Sequence, residues 1–480
     1  LPGLGARRPA RAGRRVGAIA LIGAFWLLTT AGCSSGGDSL PTPVLPAATA
    51  VVPGDSGATQ PLPPVLAAPD VPGGLLRYAI DPLGNTGPDG IAAIVASGSQ
   101  VVRVHFSWAQ LEPQAAAPVP HWAVYDALFT HLQQNGIQVL ATVGDCPTWA
   151  CSDAAGPLDK VAPPVFASFM AAVVAHYSQP PFNIHYWEFF NEPDSTNPPN
   201  HGGSWGLHGA QYAALLQATV PQVRTLDPQA RVLLGGLAYE WFMDEKPPGP
   251  FNRTFLQDVV AAGGAPYFDY LNFHYYPQNP HFPSIADKAA ALRQLERGLG
   301  LDKPLVCTEV GLTSSSDPRW TAPGWPPNSE AVQGRFLVRA YVEGFAAGLS
   351  SIAWFTLRDW RDTNPGYQIF LQTGLVRLDG SLKPAATAYR TLRHEVGRRP
   401  VLRRLDAAAL GSPGLTGLAF GPAGTEVWVV WSLSDQAQPA TLAAGTLTRA
   451  LDLYGTPLAV TGTSVSVGPD PVYLEVDPPR

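Results

Sequence analysis

The 480-residue sequence has few charged residues, and it lacks both a long basic run after its N-terminus and a glycine-rich phosphate-binding loop. Each of these features excludes a class of surface, partner or fold. Charged residues make up 14%, well below the usual quarter, so the surface is predicted to be largely neutral. No long run of basic residues lies outside the N-terminus, which argues against a nucleic-acid partner. No glycine-rich phosphate-binding loop follows the first predicted strand. The hydrophobic share, 46%, is nevertheless sufficient for a substantial core.

The four cysteines predict a disulfide and no metal site. Cys146 and Cys151 enclose a Cys-Pro-Thr-Trp-Ala-Cys segment whose spacing suits a small disulfide loop in an oxidising compartment, the alternative being two unlinked thiols. No histidine or further cysteine lies nearby to complete a zinc set, so no metal ligand is predicted. Cys307 lies in an apolar strand and is interpreted as a small buried side chain.

Residues 1–33 have the features of an export signal. Five arginines and no acid precede an apolar stretch, residues 16–28, that is short for a transmembrane helix. It leads into Thr-Ala-Gly-Cys, which resembles a bacterial lipoprotein cleavage site and predicts Cys33 as the lipidated first residue of the mature protein. A plain signal peptide or an uncleaved anchor is the alternative. We expect a protein held by lipid at the outside of the cell membrane, or otherwise secreted.

Two further segments follow from composition. Residues 34–73 are rich in Pro, Ala and Gly and are interpreted as a tether between the anchor and a folded domain. Cleavage before Cys33 would leave 26 basic and 37 acidic side chains, an acidic surface that has no affinity for nucleic acid.

From residue 74 onward, strand-like and helix-like segments alternate. The eight strand candidates are residues 75–80, 101–106, 139–143, 184–190, 231–237, 270–275, 305–310 and 351–356. Eight strands separated by helices predict an α/β fold, a (β/α)8 TIM barrel over residues 74–398. An open doubly wound sheet is the alternative. Residues 399–480 lack helical periodicity and predict a small C-terminal all-β domain that is sandwich-like.

Two of the predicted strands end in a glutamate. Strand four leads into Glu192, and strand seven ends with Glu309. The C-terminal ends of barrel strands meet around one cavity. Two carboxylates facing one cavity suit glycosidic bond cleavage, in which one donates a proton to the leaving oxygen and the other attacks the anomeric carbon. The alternative for each is an ion pair at the surface or in the barrel interior.

The segment Trp-Glu-Phe-Phe-Asn-Glu-Pro, residues 187–193, resembles the Asn-Glu-Pro signature of the clan of retaining glycoside hydrolases built on a (β/α)8 barrel. The resemblance implies that Glu192 is the general acid/base, Glu309 the nucleophile and Asn191 the partner of the sugar 2-hydroxyl. Segments of predicted strands two, six and eight also resemble the corresponding strands of the clan, in the same order along the chain. This resemblance implies substrate contacts for Arg103, His274, Tyr276 and Trp354. Within the clan the chain looks most like family 39, with family 5, the cellulase-like family, as the alternative.

The resemblance implies a retaining glycosidase that hydrolyses O-glycosidic bonds of an oligo- or polysaccharide and requires no metal or organic cofactor. A non-catalytic carbohydrate-binding lipoprotein and a transglycosylase are the alternatives, and the presence of both glutamates favours catalysis. For retention, the carboxyl groups of Glu192 and Glu309 should lie about 5–5.5 Å apart. Tryptophans in the predicted loops, among them Trp108 and Trp149, offer flat surfaces on which sugar rings stack. Apart from carbohydrate, the one expected partner is the membrane, through the lipid anchor alone.

Other carboxylates have simpler interpretations. Glu188 lies four residues before Glu192 and is interpreted as an interior carboxylate paired with Arg103 or another donor. Glu112 is interpreted as a loop carboxylate. Glu240 could contact substrate or lie at the surface. Glu343 follows Arg339 by four residues, the spacing of an ordinary helical ion pair.

Overall fold

The structure is a computed structural model that describes residues 76–115, 121–196, 205–239, 250–277, 284–315, 328–361, 370–422 and 425–477. The export signal, Cys33 and the whole tether therefore lie outside the described residues. The first eight strands are β1 (Tyr78–Asp81), β2 (Val101–Ser107), β3 (Gln138–Gly144), β4 (Tyr186–Phe189), β5 (Arg231–Leu234), β6 (Leu271–Tyr275), β7 (Leu305–Val310) and β8 (Leu349–Phe355).

These eight strands form one parallel sheet in the order β5-β4-β3-β2-β1-β8-β7-β6. Two parallel bridges, Leu233–Tyr270 and Leu237–Phe273, join the outermost strands β5 and β6 and close the sheet into a barrel. The predicted (β/α)8 barrel is confirmed, and each of the eight predicted strands overlaps one of these.

Helices follow the barrel strands and cover the outside of the sheet. They are α1 (Pro88–Ser97), α2 (Trp108–Leu111), α3 (Ala123–Gln134), α4 (Pro163–Tyr177), α5 (Gly209–Leu226), α6 (Phe255–Ala261), α7 (Ile285–Gly298), α8 (Glu330–Ala346) and α9 (Pro384–Glu395). Proline in the first turn starts α1, α4 and α9, because its fixed φ suits that turn and its missing N–H has no partner there. Ser284 and Asp287 form a capping box that starts α7. None of the helices in the described ranges combines the length and the hydrophobicity that crossing a membrane requires.

The barrel interior has an apolar layer at one end and a polar layer at the other. The apolar layer lies at the N-terminal ends of the strands and consists of Ala79, Val101, Leu140, Tyr186, Leu233, Tyr270, Val306 and Ala353. Two residues further along the strands, the inward positions are occupied by buried polar side chains, among them Arg103, Thr142, Glu188, Asn272 and Thr308. Since side chains alternate along a strand, the same face changes from hydrophobic packing to a charged network toward the C-terminal mouth.

The C-terminal region is antiparallel. Its elements are β9 (Val401–Leu405), α10 (Ala407–Leu410), β10 (Leu415–Phe420), β11 (Glu426–Ser432), β12 (Gln438–Thr441), β13 (Thr446–Leu451), β14 (Ser464–Val467) and β15 (Val472–Asp477). Five strands form a sheet in the order β13-β15-β11-β10-β9, and β12 pairs with β14. One face of β11, with Val427, Val429 and Trp431, belongs to the core that the barrel helices share. The other face, with Trp428 and Val430, packs in a separate core of the β region.

Candidate active site

Local backbone irregularities aim the two predicted catalytic glutamates at the mouth of the barrel. The register between β6 and β7 shifts from Phe273–Cys307 to His274–Glu309, so Thr308 is an extra residue. Such a bulge turns the following side chain, and it lets both Thr308 and Glu309 reach the interior. After β4, Phe190 and Glu192 have positive φ angles of 61° and 43°, an uncommon conformation for non-glycine residues that redirects the chain immediately after the strand.

Arg103 is the centre of the charged network, and its side chain is fully buried. Its Nη1 donates to Asp81 Oδ2 at 2.8 Å and to Glu309 Oε1 at 2.5 Å. Its Nε and Nη2 donate to the two carboxylate oxygens of Glu188 at 2.9 and 3.0 Å. Nη2 also donates to Asn191 Oδ1 at 2.8 Å, which leaves the amide N–H₂ of Asn191 as its group for a ligand. One guanidinium thus fixes four residues that lie in, or directly after, three different strands.

Glu309 accepts a second strong hydrogen bond, from the hydroxyl of Tyr276. The Tyr276 Oη to Glu309 Oε2 distance is 2.5 Å, and the Arg103 contact occupies the other carboxylate oxygen. Burial raises the pKa of Glu309, while the Arg103 cation and the Tyr276 hydroxyl oppose that rise. The same burial and the Glu309 charge raise the pKa of Tyr276 well above its usual value, so the phenol keeps its proton and acts as a donor.

His274 lies between the two glutamates. Its Nδ1 is 2.9 Å from Glu192 Oε1 and 3.5 Å from Glu309 Oε2, and its Nε2 is 3.1 Å from Thr308 Oγ1. The donor atoms of His274 and both glutamates all lie within 4.8 Å of one another. The two carboxylates therefore face one space, with an oxygen of one within 4.8 Å of an oxygen of the other.

The two glutamates differ in electrostatic environment. Burial raises the pKa of Glu192 well above its usual value, and the charges of Glu309 and Asp194 raise it further. Glu192 has no direct contact with Arg103, whereas Glu309 does. A proton shared by the pair therefore resides on Glu192, and Glu309 is the ionised member. Burial, together with the charges of Arg103 and Lys288, lowers the pKa of His274 well below its usual value, so the imidazole is neutral.

A second layer of contacts holds Glu192 and His274 in place. Asp194 accepts hydrogen bonds from the backbone N–H groups of Ala238 and Tyr239, which join the segment after β4 to that after β5, and burial raises its pKa to about 6. Lys288 Nζ reaches from α7 and donates to the His274 carbonyl at 2.6 Å. Position 236 has no room for a side chain and requires glycine, because a Cβ there would lie 2.1 Å from His274 Nε2.

Two trios of donor atoms are close enough together to be considered as metal ligands. They are Asp81, His105 and Glu309, and Glu192, His274 and Glu309. The Arg103 guanidinium already donates to Asp81 and to Glu309, so a cation of the chain itself compensates these carboxylates. Both trios belong to the hydrogen-bond network described above.

The structure corrects the prediction for the strand-eight aromatic residue. Trp354 is fully buried on the outer face of β8, where its ring lies 6.2 Å from Phe336 of α8 and its Nε1 donates to the Thr373 carbonyl. Side chains alternate along the strand, so the neighbouring Phe355 faces the site instead. The ring of Phe355 is edge-on to that of Tyr276 at 6.0 Å.

Trp108 is a second correction. It is fully buried among Phe166, Phe169 and Trp149 and donates its indole N–H to Glu112 Oε2 at 2.8 Å, so it supports the loops and does not line the mouth. Trp149 is half-buried, packs edge-on against Trp108 and donates to the Glu112 carbonyl. Of these two tryptophans, Trp149 is therefore the one that is partly exposed.

Trp149 lies within the loop closed by a disulfide between Cys146 and Cys151. This pairing is the one that the sequence spacing predicts, and Cys307 is a free, buried cysteine, as expected. The loop follows β3 directly, so the disulfide holds the tryptophan at the C-terminal end of the barrel. Glu240, and three further tryptophans of the predicted loops, lie outside the described residues.

Asp81 and His105 are the site residues that sequence reasoning missed. His105 Nε2 is 2.9 Å from Asp81 Oδ2, and the His105 side chain is 17% exposed toward the mouth. Although burial would raise the pKa of Asp81, the contacts with His105 and Arg103 hold it below the usual value. The signal was available, because His105 lies two residues after Arg103 and Asp81 ends the first strand.

Two interpretations of carboxylates have clear outcomes. Glu188 is a fully buried interior carboxylate paired with Arg103, as predicted. The helical pair of Glu343 with Arg339 is wrong, because Glu343 binds Arg404 of β9 and Arg339 instead lies over the Trp431 ring. Tertiary neighbours in the C-terminal sheet provide stronger partners than the helix does.

Comparison with known proteins gives one family match and several similar folds. The family model of cellulase, glycosyl hydrolase family 5, matches residues 78–334, just over half of the chain. No curated protein shows significant sequence similarity to this chain. A family 39 glycoside hydrolase from the gut symbiont Bacteroides cellulosilyticus is 19% identical, with a TM-score of 0.64, over 84% of this chain and 80% of that one.

Two other solved structures are similar over nearly their whole length. A family 30 endoxylanase from Clostridium papyrosolvens is 13% identical, with a TM-score of 0.53, over 84% of this chain and 96% of that one. A glucosidase from Croceicoccus marinus is 15% identical, with a TM-score of 0.55, over 85% and 97%. At these identities the likeness establishes the fold.

Proposed function

The chain belongs to the cellulase family, glycosyl hydrolase family 5, and from this membership we propose that it is a retaining glycosidase acting on O-glycosidic bonds of an oligo- or polysaccharide. The clan inferred from the Asn-Glu-Pro segment is confirmed, and the chain is a glycoside hydrolase. The sequence analysis favoured family 39 and gave family 5 as the alternative. Of the solved structures named above, the family 39 hydrolase has the highest TM-score.

The observation that carries the proposed mechanism is the unequal pair of carboxylates around His274. Glu192, protonated, donates to the departing glycosidic oxygen as Glu309 Oε2 attacks the anomeric carbon and forms a covalent glycosyl-enzyme. Glu192, now ionised, removes a proton from water, which attacks the same carbon and releases the sugar with its configuration retained. Arg103 and Tyr276 stabilise the Glu309 carboxylate before attack and after its release.

Around this pair, the described residues support a sugar site. Asn191 can donate its amide N–H to a sugar hydroxyl, because Arg103 occupies its oxygen. His105, held by Asp81, is partly exposed at the same mouth and offers a further polar contact. Trp149 at the rim offers an apolar face to a sugar ring. The proposed substrate class is therefore a carbohydrate with at least one ring beyond the cleaved bond.

Glu192→Ala separates the proton donor from the nucleophile. An aryl glycoside with a good leaving group barely needs protonation, so we expect a burst of phenol followed by a steady rate that is lower by about 10²–10⁴-fold. Azide should raise that rate and give a glycosyl azide of retained configuration. The alkaline limb of kcat/KM should disappear for this substrate, because protonated Glu192 no longer limits the first step.

Glu112→Gln is the matched control, since it removes a carboxylate beside the rim that contacts Trp108 and no reacting atom. This control should keep wild-type kinetics and the alkaline limb. An unchanged steady rate in folded Glu192→Ala, or an azide product of inverted configuration, would remove Glu192 from the acid/base role.

We also propose that the protein is exported and held at the membrane by a lipid on Cys33. The Thr-Ala-Gly-Cys segment supports this proposal, and so does the Cys146–Cys151 disulfide, which suits an oxidising compartment. The wild type should fractionate with membranes, and Cys33→Ala should lose the lipid and its affinity. Mass spectrometry of the mature N-terminus provides the check, and an unmodified chain that begins at another residue would contradict lipidation while leaving the hydrolase assignment intact.

A further inference from the structure

Five arginines cluster at the end of the barrel opposite the catalytic mouth. Because α9 runs antiparallel to the strands, its last turn and the segment after it lie at the N-terminal ends of the strands. Arg77 directly precedes β1, and its Nη1 donates to the Arg399 carbonyl at 2.8 Å. Arg393 lies over the Tyr78 ring at 5.3 Å. We name the basal arginine surface after its members, Arg77, Arg390, Arg393, Arg398 and Arg399.

This surface has a local excess of basic over acidic side chains, although the mature chain is acidic overall. Residues 390–404 contain six arginines and one acid, Glu395, dispersed among apolar residues so that no basic run is visible in the sequence. The Glu395 carboxylate is already occupied by Arg449, at 3.1 and 2.7 Å. Arg403 and Arg404 are paired with Glu426 and Glu343. Among the described residues, no carboxylate forms an ion pair with any of the five arginines of the basal surface.

Several guanidinium N–H groups of this surface lack hydrogen-bond partners in the described part of the chain. They are Arg390 Nε, Arg393 Nε and Arg398 Nη1, each of them inaccessible to solvent as an atom. Arg393 as a whole is only 8% exposed. Burial, and the neighbouring Arg398 charge, lower the pKa of both Arg77 and Arg393. Like charges held together repel one another, and an anion bound to the accessible donors of these arginines would offset that repulsion.

We propose that the basal arginine surface docks on a membrane by binding the phosphate groups of anionic phospholipids. The position of the preceding chain identifies this occupant. The described residues begin at Leu76, beside Arg77, and 42 residues separate Cys33 from that point. A Pro-, Ala- and Gly-rich linker of this length has an expected reach of roughly 35 Å, so the proposed anchor on Cys33 would keep this surface close to a bilayer at high effective concentration. Docking then points the catalytic mouth away from the membrane.

This inference rests on the proposed lipid anchor at Cys33 but is independent of the proposed hydrolysis, and vesicle binding by the full chain tests it. The test variant is Arg390→Gln combined with Arg398→Gln, two half-buried residues of the surface. The matched control is Arg361→Gln combined with Arg377→Gln, which removes the same charge beyond the C-terminal end of β8, at the mouth. Each protein is titrated with vesicles of phosphatidylcholine alone and of phosphatidylcholine with phosphatidylglycerol, and binding is measured by sedimentation.

On anionic vesicles at low salt, the test variant should bind about 25-fold more weakly than the wild type, since each arginine near an anionic surface contributes about fivefold. The control should stay close to wild type, and salt at about 0.5 M should abolish the difference. On neutral vesicles the wild type, the test variant and the control should bind with equal affinity. The N-terminal segment is identical in all three proteins, so it does not contribute to differences in affinity between them. The proposal is wrong if the test variant binds anionic vesicles as tightly as the wild type, or if the control loses as much affinity. If the double variant unfolds, Arg398→Gln alone should weaken binding about fivefold, and no change would equally overturn the proposal.

Discussion

Glu309→Gly is expected to lower kcat by about 10⁴-fold or more on every substrate, because no group remains to attack the anomeric carbon. Small anions should partly restore turnover. Azide can enter the space left by the carboxylate and attack from the same face, giving a glycosyl azide of inverted configuration. Product stereochemistry, read by NMR, is the decisive measurement.

The stereochemical outcome separates this variant from Glu192→Ala, whose azide product should keep its configuration. Interchanged products would mean that the two roles are reversed. A folded Glu309→Gly enzyme with substantial turnover in the absence of azide would exclude Glu309 as the nucleophile. Glu309 lies at a polar mouth and fills no hydrophobic core, so the circular dichroism of the variant should match that of the wild type.

Arg103→Gln should lower the free energy of unfolding by about 3–5 kcal/mol, because it leaves buried carboxylates without their cation. In the wild type, Arg103 donates to Asp81, Glu188 and Glu309, and its own side chain is fully buried. Glutamine cannot donate to all three. Urea unfolding at pH 8 measures the decrease in the free energy of unfolding. Activity should also fall, because Glu309 loses a contact that favours its ionised form.

The stability deficit of this variant should shrink as the pH falls from 8 to 5. Without Arg103, the buried carboxylates have pKa values above those of the unfolded chain, so the folded variant binds protons first and becomes relatively more stable in acid. In the wild type, the pKa of Asp81 lies below its usual value of 3.8, so its contribution to stability stays complete between pH 8 and 5.

Arg103→Lys is the matched control, since it keeps the charge but not the planar fork of donors. It should recover part of the stability, with a weaker pH dependence than Arg103→Gln. If Arg103→Gln were as stable as the wild type at pH 8, the network would be held by its other hydrogen bonds, and the guanidinium would not be its centre.

The eight-stranded barrel was predictable because it depends on local patterns. Alternation of apolar strand segments with helical ones is written along the chain, and closure follows from their number. The positions of Glu192 and Glu309 were predictable for the same reason, since each ends a strand and strand ends meet at one mouth. The pairing of Glu188 with Arg103 followed from side-chain alternation in β4.

The remaining site depended on contacts between distant elements. An apolar strand end does not reveal which neighbour faces inward, and the residue beside Tyr276 is Phe355, not Trp354, which the family resemblance implied. The burial of Trp108 depends on Phe166 and Phe169 of α4, and the partnership of Asp81 with His105 depends on the pairing of β1 and β2.

By itself, the sequence determined the barrel, the two glutamates and the clan, because each rests on short-range periodicity or on one contiguous motif. Only the tertiary structure decided which carboxylate holds the proton, since that depends on a guanidinium from β2 reaching Glu309 and not Glu192. It alone also brought Arg77 beside Arg393 and Arg399, more than 300 residues later in the chain, to form the basal arginine surface. Charge and burial act through space, and a sequence records only the order in which the groups occur.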